Sequence, residues 1–232
     1  MGKVDLFLGG PLGLWVLDNV GPEDIGRVYT KDGDIFRHAL RLDAAVGDFI
    51  NDTHGVMAPV GLSVHWPEIL PTKFISKYDR IYNIHPGLLP WGRCYYPVFW
   101  ALWADEPAGC TLHEIDAEID TGPIVAQRAV PKYAWDTGGT LHQRVSDAEK
   151  GLFLEYWPRI VAGDMPDAVP QEGNGSFHLR KEFTDLKLYG GDQVGTITQL
   201  LKMVRCLSHP DYSGLIVHAG GKEYEVSMRP VQ

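Results

Sequence analysis

Three polar side chains interrupt apolar, strand-like runs within residues 82–127: Asn83, His85 and Asp120. An amide donates hydrogen bonds, an imidazole donates, accepts or titrates near neutral pH, and a carboxylate accepts or takes up a proton. Held together, the three can stabilise charge developing on a carbonyl oxygen and manage a proton in the same step. Asn83 and His85 are two apart at the end of Arg80-Ile81-Tyr82-Asn83-Ile84-His85-Pro86, so on an extended strand both project from one face. Pro86-Gly87 ends that strand. Asp120 follows Thr111-Leu112-His113-Glu114-Ile115 and opens Asp-Thr-Gly-Pro, a turn in which the carboxylate can cap local amides. Each has an ordinary structural reading too, as a polar pair at a strand end and a turn opener. The expectation is that all three converge at strand ends.

The surrounding pattern alternates strands with helices. Val4–Leu8 reads as a buried strand, followed by a Gly9–Gly13 loop and a short helix over Leu14–Asn19. That loop is a poor phosphate cradle and a better tight turn, because its glycine spacing is not that of a dinucleotide-binding fingerprint. Further strands are predicted at Arg27–Thr30, Gly61–Val64, Ile81–Ile84 and on both sides of Asp120, and helices at Ile35–Ile50, Pro97–Ala104 and Thr140–Ala162. This is an α/β, Rossmann-like, mainly parallel sheet, which places ligands at the carboxyl ends of strands. Asn83 and His85 lie at such an end. Residues 164–175 carry Pro and Gly without periodicity and read as a linker, so residues 1–163 form one domain and residues 164–232 a small C-terminal region. That region holds a helix over Val194–Cys206 and a β-hairpin around Gly220-Gly221.

At 232 residues, with 44% apolar and 22% charged side chains, the chain is long enough for a sizeable core and ordinary for a globular protein. The N-terminal apolar run is too short for a membrane span and lacks a signal-peptide layout, so the expectation is a cytoplasmic protein with no membrane partner. Cys94, Cys110 and Cys206 are few and unpaired in spacing, which argues against a disulfide framework and a zinc site. A net charge of −9, with no basic run longer than Arg180-Lys181, argues against a nucleic-acid partner but leaves room for a small anionic substrate held by local cations.

The whole string is more specific than its parts. Asn-Ile-His-Pro-Gly-Leu-Leu-Pro, then Gly-Cys-Thr-Leu-His-Glu-Ile-Asp, then Asp-Thr-Gly-Pro-Ile-Val-Ala-Gln resembles the active-site region of formyltransferases that use N10-formyltetrahydrofolate. The resemblance implies the formyltransferase fold and direct formyl transfer to an amine, with folate as co-substrate and no metal. It implies that Asn83 and His85 donate to the carbonyl oxygen, and that Asp120 orients His85 or collects the proton. His85 or Asp120 is the base; the sequence does not choose. It also implies that Leu88, Leu89, Pro90, Ile115, Asp116 and Ile119 line the folate pocket, with Ser63–Trp66 beside it and His113 a strand residue next to the folate loop. Arg93, Tyr95, Tyr96 and Lys181 are candidates for the second substrate, while Trp100 and Trp103 read as core. The tail, with Gly173-Asn174, Arg180-Lys181-Glu182-Phe183 and Arg205-Cys206-Leu207-Ser208-His209-Pro210, looks like that of sugar-nucleotide N-formyltransferases. The implied substrate is a dTDP-linked 4-amino- or 3-amino-dideoxyhexose destined for surface polysaccharide, and the implied assembly a homodimer. The alternatives are a glycinamide ribonucleotide-type formyltransferase and a folate-binding homologue without activity.

Overall fold

The computed structural model describes residues 2–47, 56–193, 195–210, 214–219 and 221–229. In chain order the elements are β1 (Val4–Leu8), α1 (Gly10–Asp18), β2 (Ile25–Tyr29), α2 (Gly33–Arg41), β3 (Ala45–Gly47), β4 (Val60–Val64), α3 (Thr72–Ile75) and β5 (Arg80–His85). There follow β6 (Arg93–Cys94), α4 (Pro97–Trp103), β7 (Gly109–Glu114), β8 (Ile124–Ala129), α5 (Gly138–Ala162), β9 (Phe177–His178), α6 (Arg180–Gln193), α7 (Ile197–Leu207), β10 (Leu215–Ala219) and β11 (Lys222–Val226). A seven-stranded sheet runs β3-β2-β1-β4-β5-β7-β8. Its pairs from β3 through β5 are parallel, and β5 pairs antiparallel with β7. The chain is thus a mainly parallel α/β protein with a small C-terminal hairpin. No helix of the described residues is long and apolar enough to cross a membrane.

The chain divides into two compact units that interleave in sequence. One comprises residues 1–85, 110–128 and 148–172, the other residues 86–109, 129–147 and 173–232. In the first, all five residues of β1 are buried, as a central parallel strand requires. The exception to its apolar character is Asp5, whose carboxylate accepts hydrogen bonds from the Arg27 amide (2.8 Å), the Met57 amide (3.1 Å) and the Tyr78 hydroxyl (2.9 Å). Burial still pushes its pKa upward, because those donors only partly replace water. An aromatic cluster of Phe7, Tyr29, Phe74 and Tyr78 with Leu70 and Ile81 fills the space beside the sheet, Phe7 and Tyr29 stacking at 4.7 Å. Ile81 ties β5 into this cluster, and its carbonyl accepts from the Ile115 amide at 2.7 Å.

Two expectations need correction. Residues 10–13 are helical: Gly9 is the extended N-cap and Pro11 stands in the first turn of α1, where a missing N–H costs nothing. Gly9 has to be a glycine, since a Cβ there would stand 2.3 Å from the His65 carbonyl oxygen. The helix expected over Ile35–Ile50 begins at Gly33, where Asp32 accepts from the Asp34 and Ile35 amides, and stops at Arg41. Asp43 adopts φ 56, turning the chain so that Ala45–Gly47 can pair with β2, and residues 48–50 lie outside the described residues. The hairpin expected at the C-terminus is present as β10 paired antiparallel with β11, although Gly220 of its turn is not among the described residues.

Candidate active site

Antiparallel pairing of β5 with β7 sets Asn83 opposite His113 and His85 opposite Thr111. The Asn83 amide nitrogen lies 3.1 Å from His113 Nε2, and His113 Nδ1 lies 2.8 Å from the Glu114 carbonyl oxygen. A carbonyl oxygen only accepts, so Nδ1 carries the proton and Nε2 presents its lone pair to an Asn83 N–H. That fixes which end of the Asn83 amide faces β7. Burial pushes the His113 pKa down to about 4, with the neighbouring Asp120 carboxylate working against the shift and His85 adding to it. His113 is therefore neutral at physiological pH. One Asn83 N–H is committed to it, and the amide keeps a second.

Asp120 stands between two imidazoles, its carboxylate oxygens 3.7 Å from His85 Nδ1 and 3.7 Å from His113 Nε2. The His85 and His113 rings cross edge to face at 6.3 Å. Asp120 takes φ 54, a left-handed conformation that aspartate tolerates better than most residues. Its turn is braced from several sides. Gln171 donates to the carbonyl oxygens of Asp120 (2.9 Å) and Gly122 (2.8 Å), while Asp116 accepts from the Glu118 amide (3.1 Å) and the Thr121 hydroxyl (2.8 Å). Gly122 presses so closely on β7 that a Cβ would sit 1.9 Å from the Glu114 carbonyl oxygen. Ile115 packs against the aromatic cluster. Ile119 is half-buried in the same loop. The result is a loop braced by several hydrogen bonds and carrying a carboxylate.

A formyl transferase family model matches residues 45–156, a span that includes every residue described so far in this site except Gln171. The curated dTDP-4-amino-4,6-dideoxyglucose formyltransferase of Mycobacterium tuberculosis is 32% identical over 163 residues, 70% of this chain and 69% of its own length. The chain belongs to the formyl transferase family. Among solved structures, a formyltransferase from Anoxybacillus kamchatkensis in complex with UDP-4,6-dideoxy-4-formamido-L-AltNAc and tetrahydrofolate is 26% identical, with TM-score 0.59 over 86% of this chain and 97% of that one. A sugar N-formyltransferase from Shewanella sp. FDAARGOS_354 shares the fold across 99% of both chains, with TM-score 0.83 and 21% identity.

The remaining candidates of this formyl transferase belong to the second compact unit and are described within it. Leu88, Leu89 and Pro90 form the segment after Pro86-Gly87; Leu89 is buried and the Leu89–Pro90 peptide is cis. Arg93 lies in β6, which pairs with β9, and its guanidinium is 3.5 Å from the Asn174 carbonyl oxygen. Tyr96, left-handed at φ 59, caps α4 and stacks on Phe183 at 4.0 Å, while Arg180 lies over the exposed Tyr95 ring at 5.4 Å. Lys181, largely exposed, pairs with Asp185 one turn along α6. The structure thus gathers Arg93, Tyr95 and Tyr96 on one short stretch and sets Lys181 on a helix face.

His113 is a strand residue of β7 as expected; its contact with Asn83 follows from strand pairing and from no local motif, so the sequence reading missed that contact. It also passed over Glu149, fully buried and 3.0 Å from His65 Nε2, at the end of β4, where Ser63 stands beside Asn83. Burial raises the thiol pKa of Cys110 to about 12 and of Cys206 to about 11, so neither offers a thiolate near neutral pH. Among the described residues, no group of three His, Cys, Asp or Glu side chains is arranged to hold a metal ion.

Proposed function

We propose that this formyl transferase moves the formyl group of N10-formyltetrahydrofolate onto the amine of a nucleotide-linked amino-deoxy sugar, a dTDP-4-amino- or 3-amino-dideoxyhexose. The observation that carries the reading is the constellation at the end of β5: half-buried Asn83 held by buried, neutral His113, with buried His85 and half-buried Asp120 in ion-pair range. The folate co-substrate supplies an activated formyl carbonyl. Asn83 donates its second N–H to the oxygen of that carbonyl as negative charge develops there. A preorganised donor of this kind is worth ~3 to 4 kcal/mol of barrier. The proton released by the attacking amine passes to the His85–Asp120 pair, and N10 takes up a proton as the C–N10 bond breaks and tetrahydrofolate leaves. Because His113 already fills one side of the Asn83 amide, the donor is oriented before substrate arrives, and no reorganisation is needed during transfer.

In this proposal the braced Ile115–Pro123 loop, with Asp116 and Ile119 on it, contacts folate, and Leu88, Leu89 and Pro90 are assigned to folate as well. Arg93, Tyr95, Tyr96 and Lys181 take the nucleotide sugar. Residues 1–163 then hold the catalytic machinery and residues 164–232 add substrate recognition. The M. tuberculosis relative's named substrate and the tetrahydrofolate bound in the Anoxybacillus structure support this choice of donor and acceptor class. A homodimer, working in the cytoplasm for surface polysaccharide synthesis, belongs to the same proposal.

The test is tetrahydrofolate release from N10-formyltetrahydrofolate across dTDP-, UDP- and GDP-linked amino-deoxy sugars, with glycinamide ribonucleotide as comparator. Turnover with one dTDP-amino sugar is expected. Turnover with glycinamide ribonucleotide alone would replace this reading, and folate binding with no turnover on any amine would mark a homologue that has lost activity.

A further inference from the structure

Resting on the reading of residues 88–96 as a ligand-binding stretch, we propose that Glu106 is a positioning residue that clamps it through a strap formed by residues 175–178. The strap runs along the stretch as a short ladder. The Ser176 amide donates to the Pro90 carbonyl oxygen, the Arg93 amide to the Ser176 carbonyl oxygen and the Tyr95 amide to the His178 carbonyl oxygen, each at 3.1 Å. Gly175, at φ 59, passes so close to Pro90 that a Cβ would stand 1.9 Å from its carbonyl oxygen. A ladder built on two-residue strands is too short to hold itself.

Glu106 supplies what the ladder lacks. It is buried, and each of its carboxylate oxygens holds one point of the strap: Oε2 accepts from the Ser176 hydroxyl at 2.9 Å, and Oε1 from His178 Nε2 at 2.8 Å. Ser176 Oγ in turn accepts from the Gly92 amide at 2.7 Å, so the chain of hydrogen bonds ends on the stretch that precedes Arg93. The His178 ring lies flat on Trp100 at 4.0 Å, which prevents it from swinging away. Lys132 fixes Glu106 itself, donating to its carbonyl oxygen at 2.7 Å. A carboxylate is withdrawn from water at a cost, and both of its oxygens are spent on holding residues 175–178 against residues 90–95. Arg93, Tyr95 and Tyr96 inherit their placement from this clamp.

Two variants test it. Glu106→Ala removes both acceptors, and Glu106→Gln keeps the shape: its oxygen accepts from Ser176 while its amide donates to His178 in the other tautomer. In folded Glu106→Ala, hydrogen exchange should quicken at the Gly92, Arg93, Tyr95 and Ser176 amides. The KM for the nucleotide sugar should rise on the order of tenfold or more, with kcat near that of the wild type, as expected for loosened positioning. Glu106→Gln should restore both. Unchanged KM in Glu106→Ala, whether or not its melting temperature falls, would overturn the proposal and leave Glu106 a merely structural residue. Failure of the underlying functional reading looks different: the wild-type protein itself would turn over no nucleotide sugar, while the four amides would still lose protection in Glu106→Ala.

Discussion

Replacing His113 separates its two consequences, one for stability and one for turnover. In the folded protein its pKa is down to about 4, against an ordinary value of 6.5, because the ring is buried, with the neighbouring His85 adding to the shift. Between those values the unfolded chain binds the proton and the folded chain does not. Stability is therefore complete above about pH 6.5 and is lost as pH falls toward 4. At about 1.36 kcal/mol per pH unit, this single group removes roughly 3 kcal/mol across that window. His113→Gln cannot titrate, yet its side-chain oxygen can still accept from Asn83. Urea unfolding of both proteins at intervals from about pH 4.5 to 7 should give a wild-type slope steeper by up to about 1.4 kcal/mol per pH unit near pH 5. His113→Leu, which removes the acceptor and frees the Asn83 amide to rotate, should lower kcat by ~10²-fold or more in the folded enzyme, with His113→Gln retaining much more activity. Parallel pH curves for wild type and His113→Gln would refute the buried neutral imidazole, and wild-type turnover in His113→Leu would refute His113 as the anchor of the Asn83 amide.

Asn83→Ala, His85→Ala and Asp120→Ala should each cut formyl transfer by ~10²-fold or more while thermal melts remain cooperative, because their contribution is made to the transition state. Gly122→Ala forces the Asp120 turn away from the Glu114 carbonyl; kcat should fall by ~10²-fold from the displaced carboxylate, measured beside a melt that reports about 1–3 kcal/mol of lost stability. Tyr78→Phe leaves the buried Asp5 carboxylate one donor short and should cost about 1–3 kcal/mol in urea unfolding, with turnover of the folded fraction unchanged. If Tyr78→Phe melts like the wild type, the Asp5 network is not what secures β1.

The central parallel strands were legible because they are largely buried and their apolar runs are short and bounded. Val4–Leu8 is read correctly to the residue. Ile35–Ile50 failed because helical spacing continues past the residue where a left-handed Asp43 turns the chain, and a positive φ at a non-glycine leaves no mark in apolar periodicity. Asn83 and His85 share a strand end by spacing alone, and the structure adds Asp120 within 3.7 Å of His85. The partner of Asn83 was not readable, because His113 meets it through strand register, 30 residues away. The clamp was less visible still: Glu106 and Ser176 are 70 residues apart, and neither belongs to a motif. Long-range polar pairs are set by topology, and topology is what a linear pattern conveys least.

The most direct test incubates the protein with N10-formyltetrahydrofolate carrying a ¹³C-labelled formyl carbon and dTDP-4-amino-4,6-dideoxyglucose, then follows the label by NMR in wild type and His85→Ala. Label appearing as a formamide on the sugar nitrogen with wild type, and remaining on folate with His85→Ala, is the expected result. Label found as free formate, or transferred equally well by His85→Ala, would contradict direct transfer at this site.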